Sequence, residues 1–295
     1  NIDFSTDNEI LFDIDGTLTP SREKMTSAMQ KLFKDFARDN TVYLVTGSNI
    51  EKTMEQVPMD ILTKCREIFC ESGSDVYYYD SNADDQLLGR ESNYDKHWDC
   101  PVELRNALMN MLNDSNFPTT MRTGNHIEIR KSMVNFSIIG RNATPAERYV
   151  YTLWDKDKNE RAEFAELIQD IFPDLTANVA GGIGIDIHPK GRDKSQILPE
   201  IKQWPDGNEP IVFFGDKTQK GGNDYPFAKA IQAMGENELN HVYHVSDWKR
   251  TYEILNDIWL KPSQFSDLYF DKKENQDEPD VDWSQEWEDA GEVYE

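Results

Sequence analysis

Three short apolar runs in this chain each stop at a cluster of acidic, hydroxyl or glycine residues, and no other feature constrains the fold as tightly. Ile10-Leu11-Phe12 leads into Asp13-Ile14-Asp15-Gly16-Thr17-Leu18-Thr19, Thr41–Val45 leads into Thr46-Gly47-Ser48, and residues 211–214 lead into Gly215-Asp216. Such runs read as short buried strands. Helical patterns stand between them, which indicates an α/β fold on a parallel sheet. In helix-flanked parallel sheets, ligand sites lie beyond the carboxyl ends of the strands. All three clusters fall there.

The intervening patterns fill in the organisation. Met25, Met29, Leu32, Phe33 and Phe36 recur at helical spacing and predict a helix over 21–38. A second helix is expected over 51–57, stopping near Pro58, with further strands at 68–70 and 76–79. The middle of the chain changes character. It reads as a helix over 102–112, strands at 127–130 and 133–139, and a helix opened by the capping signal Thr144-Pro145 with Glu147. Helical pattern continues over 157–171, and strands follow at 176–179 and 183–187. The α/β pattern then resumes at 211–214 and closes with a strand at 242–245. The expected organisation is a sheet domain in two parts, 1–82 and 188–260, with an α+β domain inserted at 83–187. Residues 261–295 form an acidic tail expected to be flexible. From Asp271 onward it holds 11 acidic residues against two lysines, together with Trp283, Trp287 and Tyr294.

Charge removes some function classes. With 31 Lys+Arg against 55 Asp+Glu the net charge is −24, so a general nucleic-acid binder or a basic lipid-docking surface is not expected. The 33 aromatic residues, 7 Trp, 14 Phe and 12 Tyr, argue against disorder. No apolar run approaches the ~20 residues of a membrane span, and the first residues lack signal-peptide character. Cys65, Cys70 and Cys100 form no zinc pattern and are expected as reduced thiols, which points to the cytoplasm. His241 and His244 have no companion ligands, and no metal is expected at them.

The strand-end carboxylates carry the chemistry. Asp13 and Asp15, separated by one residue, can both reach a site beyond their strand. The first can attack phosphorus as a nucleophile, and the second can protonate a leaving oxygen and deprotonate an incoming one. Asp216 and Asp224, in Gly215-Asp216-Lys217-Thr218 and Gly221-Gly222-Asn223-Asp224, would converge with Asp13 into a hard-oxygen site suited to Mg²⁺. Lys194, preceding an expected helix, could hold Asp13 and a phosphoryl oxygen together. Thr46 is the favoured phosphate-side hydroxyl, with Ser48 as the other candidate.

These strings resemble the haloacid dehalogenase superfamily of phosphotransferases, in that superfamily's order. Over roughly residues 8–250 the chain is more closely similar to the eukaryotic-type phosphomannomutases, through LFDIDGTLTPSR, FFGDKTQKGGND and, in the insert, IEIRKSMVNFSIIGRNATPAER. The resemblance implies a Rossmann-like core with an α/β cap closing over a sugar phosphate. It also implies Mg²⁺, a phospho-aspartate at Asp13, priming by a hexose 1,6-bisphosphate, and transfer between C1 and C6 of mannose phosphate. It makes Asp15 the acid/base, with Lys194 and Thr46 assisting. The metal shell it implies is Asp13, the main-chain carbonyl of Asp15, and Asp216, with Asp224 in support. A homodimer through the cap is a further implication.

The arginines make a separate argument. Arg130, Arg141 and Arg148 lie in one strand–turn–helix unit, with Asn135 among them. Guanidinium groups form forked, charge-assisted hydrogen bonds to phosphate. A phosphatase holds only the phosphate it cleaves, whereas a mutase must hold a second one away from the nucleophile. The cluster therefore favours a mutase. Arg22 fits the family's core-side substrate arginine. Three departures stand out. Gly184 occupies the place of a substrate-contacting serine, with Asp186 retained to bond a sugar hydroxyl. Thr46 replaces a glycine and is closer to the sugar-phosphate phosphatases. Glu71-Ser72-Gly73 replaces Glu-Asn-Gly. A sugar-phosphate phosphatase on the same scaffold is accordingly the second reading, and a non-catalytic binding protein using the acidic tail is the third.

Overall fold

The computed structural model of the chain describes residues 8–82, 88–90, 98–202, 209–234 and 240–259. Among these, the strands in chain order are β1 (Glu9–Phe12), β2 (Thr41–Val45), β3 (Glu67–Cys70), β4 (Asp75–Tyr79), β5 (Leu88–Arg90), β6 (Ile127–Ile129), β7 (Val134–Phe136), β8 (Leu175–Ala180), β9 (Gly184–Pro189), β10 (Ile211–Gly215) and β11 (His241–His244). They form a seven-stranded sheet, ordered β11-β10-β1-β2-β3-β4-β5, and a four-stranded sheet, ordered β6-β7-β9-β8.

The large sheet is parallel from β11 to β3. β1 and β10 are buried along their whole lengths, as continuous apolar runs between helical layers should be. Alternation divides the strands between two cores. Phe12 meets Phe33 edge-on at 5.0 Å and stacks on Phe214 at 4.7 Å, while Leu11 and Phe213 pack on the opposite face with Phe227. The sheet departs from the all-parallel expectation at one edge, where β4 and β5 run antiparallel. Only Glu71 to Ser74 separate β3 from β4, too little chain for a crossover helix. Left-handed backbone at Glu71, Ser72 and Gly73 turns it straight back.

The four-stranded sheet is antiparallel throughout. Val134 and Phe136 of β7, with Ile185 and Ile187 of β9, enter a core shared with Leu104, Leu108, Tyr151 and Ile168 from the helices. Asn135 and Asp186, one residue out of phase and paired in register, therefore face the opposite way. This period of two is what supplies the second wall of the site.

Several boundaries differ from expectation. The helix expected over 21–38 is Ser27–Asp39, because Thr26 caps it by accepting from the Met29 amide at 3.4 Å. Met25 fits the helical spacing but is buried in the preceding turn, where its amide donates to Gln56 O. The helical stretch over 157–171 is the end of Pro145–Lys158 followed by Glu160–Ile171, broken at Asn159 with φ 58° and ψ 22°. β5 belongs to the large sheet, so the domain boundary expected after residue 82 falls inside that sheet, and β9 runs two residues past the expected end at 187. The acidic tail, 261–295, lies outside the described residues. Among the described residues no helix is long and apolar enough to cross a membrane. Cys65, Cys70 and Cys100 are free and buried, and burial pushes the Cys65 thiol up to about 12.

Candidate active site

The carboxyl ends of β1 and β10 bring the acidic motifs together. The Asp13 amide donates to Phe214 O at 2.9 Å, which locks the two strand ends side by side. Two glycines then make room for carboxylates. A Cβ on Gly16, whose φ is +77°, would lie 2.5 Å from Asp216 Oδ2, and one on Gly215 would lie 2.8 Å from Asp224 Oδ2. Asp13, Asp216 and Asp224 thus each offer an oxygen within 4.8 Å of the others.

Lys194, 1% exposed in the turn after β9, pairs with Asp13 and donates to Asp224 Oδ1 at 2.6 Å. Burial works against its ammonium, but Asp13 and Asp224 outweigh it and hold the lysine above its ordinary range. Burial likewise pushes the Asp13 carboxyl up to about 8, against the pull of Lys194 and with the added repulsion of Asp224 and Asp216. Asp224 Oδ2 accepts from the Lys217 amide at 3.1 Å, so both its oxygens have protein partners. Asp216 pairs with Lys217 through Oδ2, while its Oδ1 is buried with no partner. Two lysines against three clustered carboxylates, with one carboxylate oxygen orphaned, is a donor set that fits a hard divalent cation.

The carboxylate of Asp15 stands outside this trio. Its Oδ1 accepts from the Arg22 amide and from Gln56 Nε2, both at 2.7 Å. Arg22 adopts a left-handed φ of 67° to make this bond. Gln56 had no signal in the sequence, since its helical position resembles any other polar residue there. Thr46 is buried at the end of β2, and its Oγ1 accepts from the Ser48 amide at 3.1 Å.

The four-stranded sheet faces this cluster across a cleft of about 580 Å³. Asp13, Asp15, Arg22, Thr46 and Ser48 line one side, and Arg130, Asn135, Arg141, Arg148 and Asp186 line the other. Lys194, Asp216 and Asp224 lie beneath the lining. Asn135 Nδ2 donates to Asp186 Oδ1 at 2.6 Å, and Asn135 Oδ1 is buried without a partner. Arg148 donates through Nε to Ala143 O at 2.8 Å and through Nη2 to Arg141 O at 2.6 Å, leaving Nη1 buried and unpartnered. Burial lowers the basicity of its guanidinium.

Among the expected substrate-binding residues, Gly184 does not line the cleft. It is buried, and a Cβ there would come within 2.6 Å of Asn135 Nδ2. Asn135 fills the space that a serine side chain would need. Glu128 is the reverse case, a cleft residue with no assigned role in the sequence reading. Its two oxygens accept from Arg130 Nε at 2.8 Å and Arg141 Nε at 2.9 Å. Burial raises the Glu128 carboxyl, but these arginines outweigh it and hold it below the ordinary glutamate range. Its place on β6, two residues before Arg130, was the available signal.

A parallel sheet with acidic strand ends, a buried lysine and an inserted antiparallel sheet facing them defines the class by its fold, which is of the haloacid dehalogenase type. The fold is shared with the C-terminally truncated IMP-nucleotidase of Plasmodium falciparum, at a TM-score of 0.55 and 13% identity, covering 86% of this chain and 72% of that one. Within the class, the eukaryotic phosphomannomutase family profile matches residues 29–258. The phosphomannomutase of Saccharomyces cerevisiae is 35% identical, covering 85% of this chain and 93% of its own. That of Encephalitozoon cuniculi is 37% identical, covering 73% and 82%. The chain belongs to the eukaryotic phosphomannomutase family.

Proposed function

We propose that this protein interconverts mannose 6-phosphate and mannose 1-phosphate by way of a phospho-aspartate at Asp13. The observation that carries this reading is one cleft with two different ends. Asp13 and Asp15 lie at one wall, and three arginines lie at the other. A substrate with phosphate on both C1 and C6 needs such a pair of walls.

An Asp13 oxygen attacks one phosphorus of a hexose 1,6-bisphosphate, and the bond from that phosphorus to the sugar oxygen breaks. Asp15, held by Arg22 and Gln56, gives its proton to the departing oxygen. The arginines hold the other phosphate until the monophosphate leaves. When a mannose monophosphate enters with its phosphate on the arginines, Asp15 removes the proton from its free hydroxyl, which attacks phospho-Asp13, frees the carboxylate and forms the bisphosphate. The bisphosphate then reverses its ends in the cleft, and Asp13 takes the other phosphate to leave the isomeric monophosphate. Lys194 orients Asp13, Thr46 offers a hydroxyl to the phosphoryl group, and Asp186 accepts from the sugar. Asp13, Asp216 and the Asp15 carbonyl would hold Mg²⁺, supported by Asp224, and the ion would screen nucleophile from phosphate.

Phosphorus NMR of mannose 1-phosphate with the protein and Mg²⁺ tests this, with and without glucose 1,6-bisphosphate. The 6-phosphate resonance should grow only when bisphosphate is present, and chelation should stop it. Inorganic phosphate released without any isomer would establish the phosphatase reading instead.

A further inference from the structure

We propose that Glu128 is a positioning residue that clamps Arg130 and Arg141 together as a two-pronged receptor for the phosphate held away from Asp13. This rests on the mutase reading above.

Arg130 and Arg141 come from different segments, one just after β6 and the other in the turn beyond β7. Two guanidinium groups brought side by side repel each other, with Arg148 adding a third positive charge to the same wall. Glu128 resolves this with one oxygen for each, accepting from both Nε atoms. Its side chain is 32% exposed, and those of the two arginines are each 22% exposed. The bridge therefore sits at the cleft surface, where a ligand can meet it.

Both arginines spend Nε on Glu128. The terminal nitrogens of Arg141 have no protein acceptor among the described residues, while Arg130 Nη1 has a 3.4 Å contact to Gly47 O. Donors held ready in this way spare a ligand the cost of ordering two long side chains.

Charge alone predicts the opposite sign. Glu128 is an anion in an anion-binding cleft, and simple repulsion says that removing it should tighten phosphate binding. Positioning says that removal should weaken it.

Calorimetric titration of the full chain with Mg²⁺, using mannose 1-phosphate and inorganic phosphate as separate probes and no bisphosphate, distinguishes the two. Glu128→Ala should weaken mannose 1-phosphate about tenfold. Glu128→Gln should fall between, because its amide oxygen still accepts from one Nε. In steady state the Ala variant should raise KM by more than it lowers kcat. Equal or tighter binding by both variants overturns the proposal, and should the Ala variant not fold, the Gln variant decides alone. A wild-type protein that binds phosphate but not mannose 1-phosphate overturns the mutase reading and leaves Glu128 judged by the phosphate series. One that binds neither overturns both.

Discussion

Lys194 concentrates the residue-scale physics of the site. It pairs with two buried carboxylates, Asp13 at the end of β1 and Asp224 just before the helix Tyr225–Ala233. Removing one partner of a buried ion pair leaves charge without compensation and costs about 3–5 kcal/mol. Lys194→Met should therefore lower stability by about 3 kcal/mol at neutral pH in the presence of chelator, read from urea unfolding. The deficit should shrink as pH falls, because burial already favours the neutral form of Asp13, and its protonation removes a buried charge that the lysine would have compensated. A deficit unchanged by pH would mean that packing, not charge, is what the lysine supplies. Gly16 makes a complementary point. Its place in the cluster after the first strand was legible in the sequence, but the carboxylate of Asp216 that leaves no room for a side chain there was not.

At the scale of elements, the break at Asn159 shapes the insert. The left-handed residue ends one helix and lets the next begin. Arg161 then donates to both Asp155 oxygens, from its amide at 3.0 Å and from Nε at 2.7 Å. Its Nη1 reaches Gly181 O at 3.0 Å and Gly184 O at 3.2 Å. The helix break thus fixes the β8–β9 turn, and Gly181 in that turn lines the cleft. Left-handed backbone costs an ordinary L-residue about 1–2 kcal/mol, less for asparagine and nothing comparable for glycine. Asn159→Ala should lose about 1 kcal/mol in thermal unfolding, while Asn159→Gly should stay within about 0.5 kcal/mol of the parent. Sequence pattern missed the break because residues 155–161 are uniformly polar and carry neither proline nor glycine.

At the scale of the whole molecule, a chain of net charge −24 takes up an anion. Attraction has to be local, and the fold makes it so by setting two sheets face to face. Lys131 pairs with Asp75 at 2.8 Å, and Ser132 donates to Glu71 O at 3.3 Å. These contacts join the insert to the large sheet beside the cleft. The arginine wall is thereby held opposite Asp13. If this local field governs uptake, the dissociation constant for mannose 1-phosphate should rise steadily with added KCl, since salt screens an exposed cationic cleft. Affinity that increases with salt would show that the overall negative field dominates.

The parallel strands, the acidic and glycine residues at their ends, and the arginine-rich insert were determined by sequence alone. These depend on local spacing, and spacing survives without coordinates. Only the tertiary structure decided that β4 and β5 turn antiparallel, that Gln56 holds Asp15, that Asn135 covers Gly184, and that Glu128 joins two arginines. Each of these except the last is a contact or a turn whose signal is spread over distant or conformationally neutral residues. The last had a signal in its place two residues before Arg130, but its meaning came from Arg141, which reaches Glu128 only when the second sheet has formed.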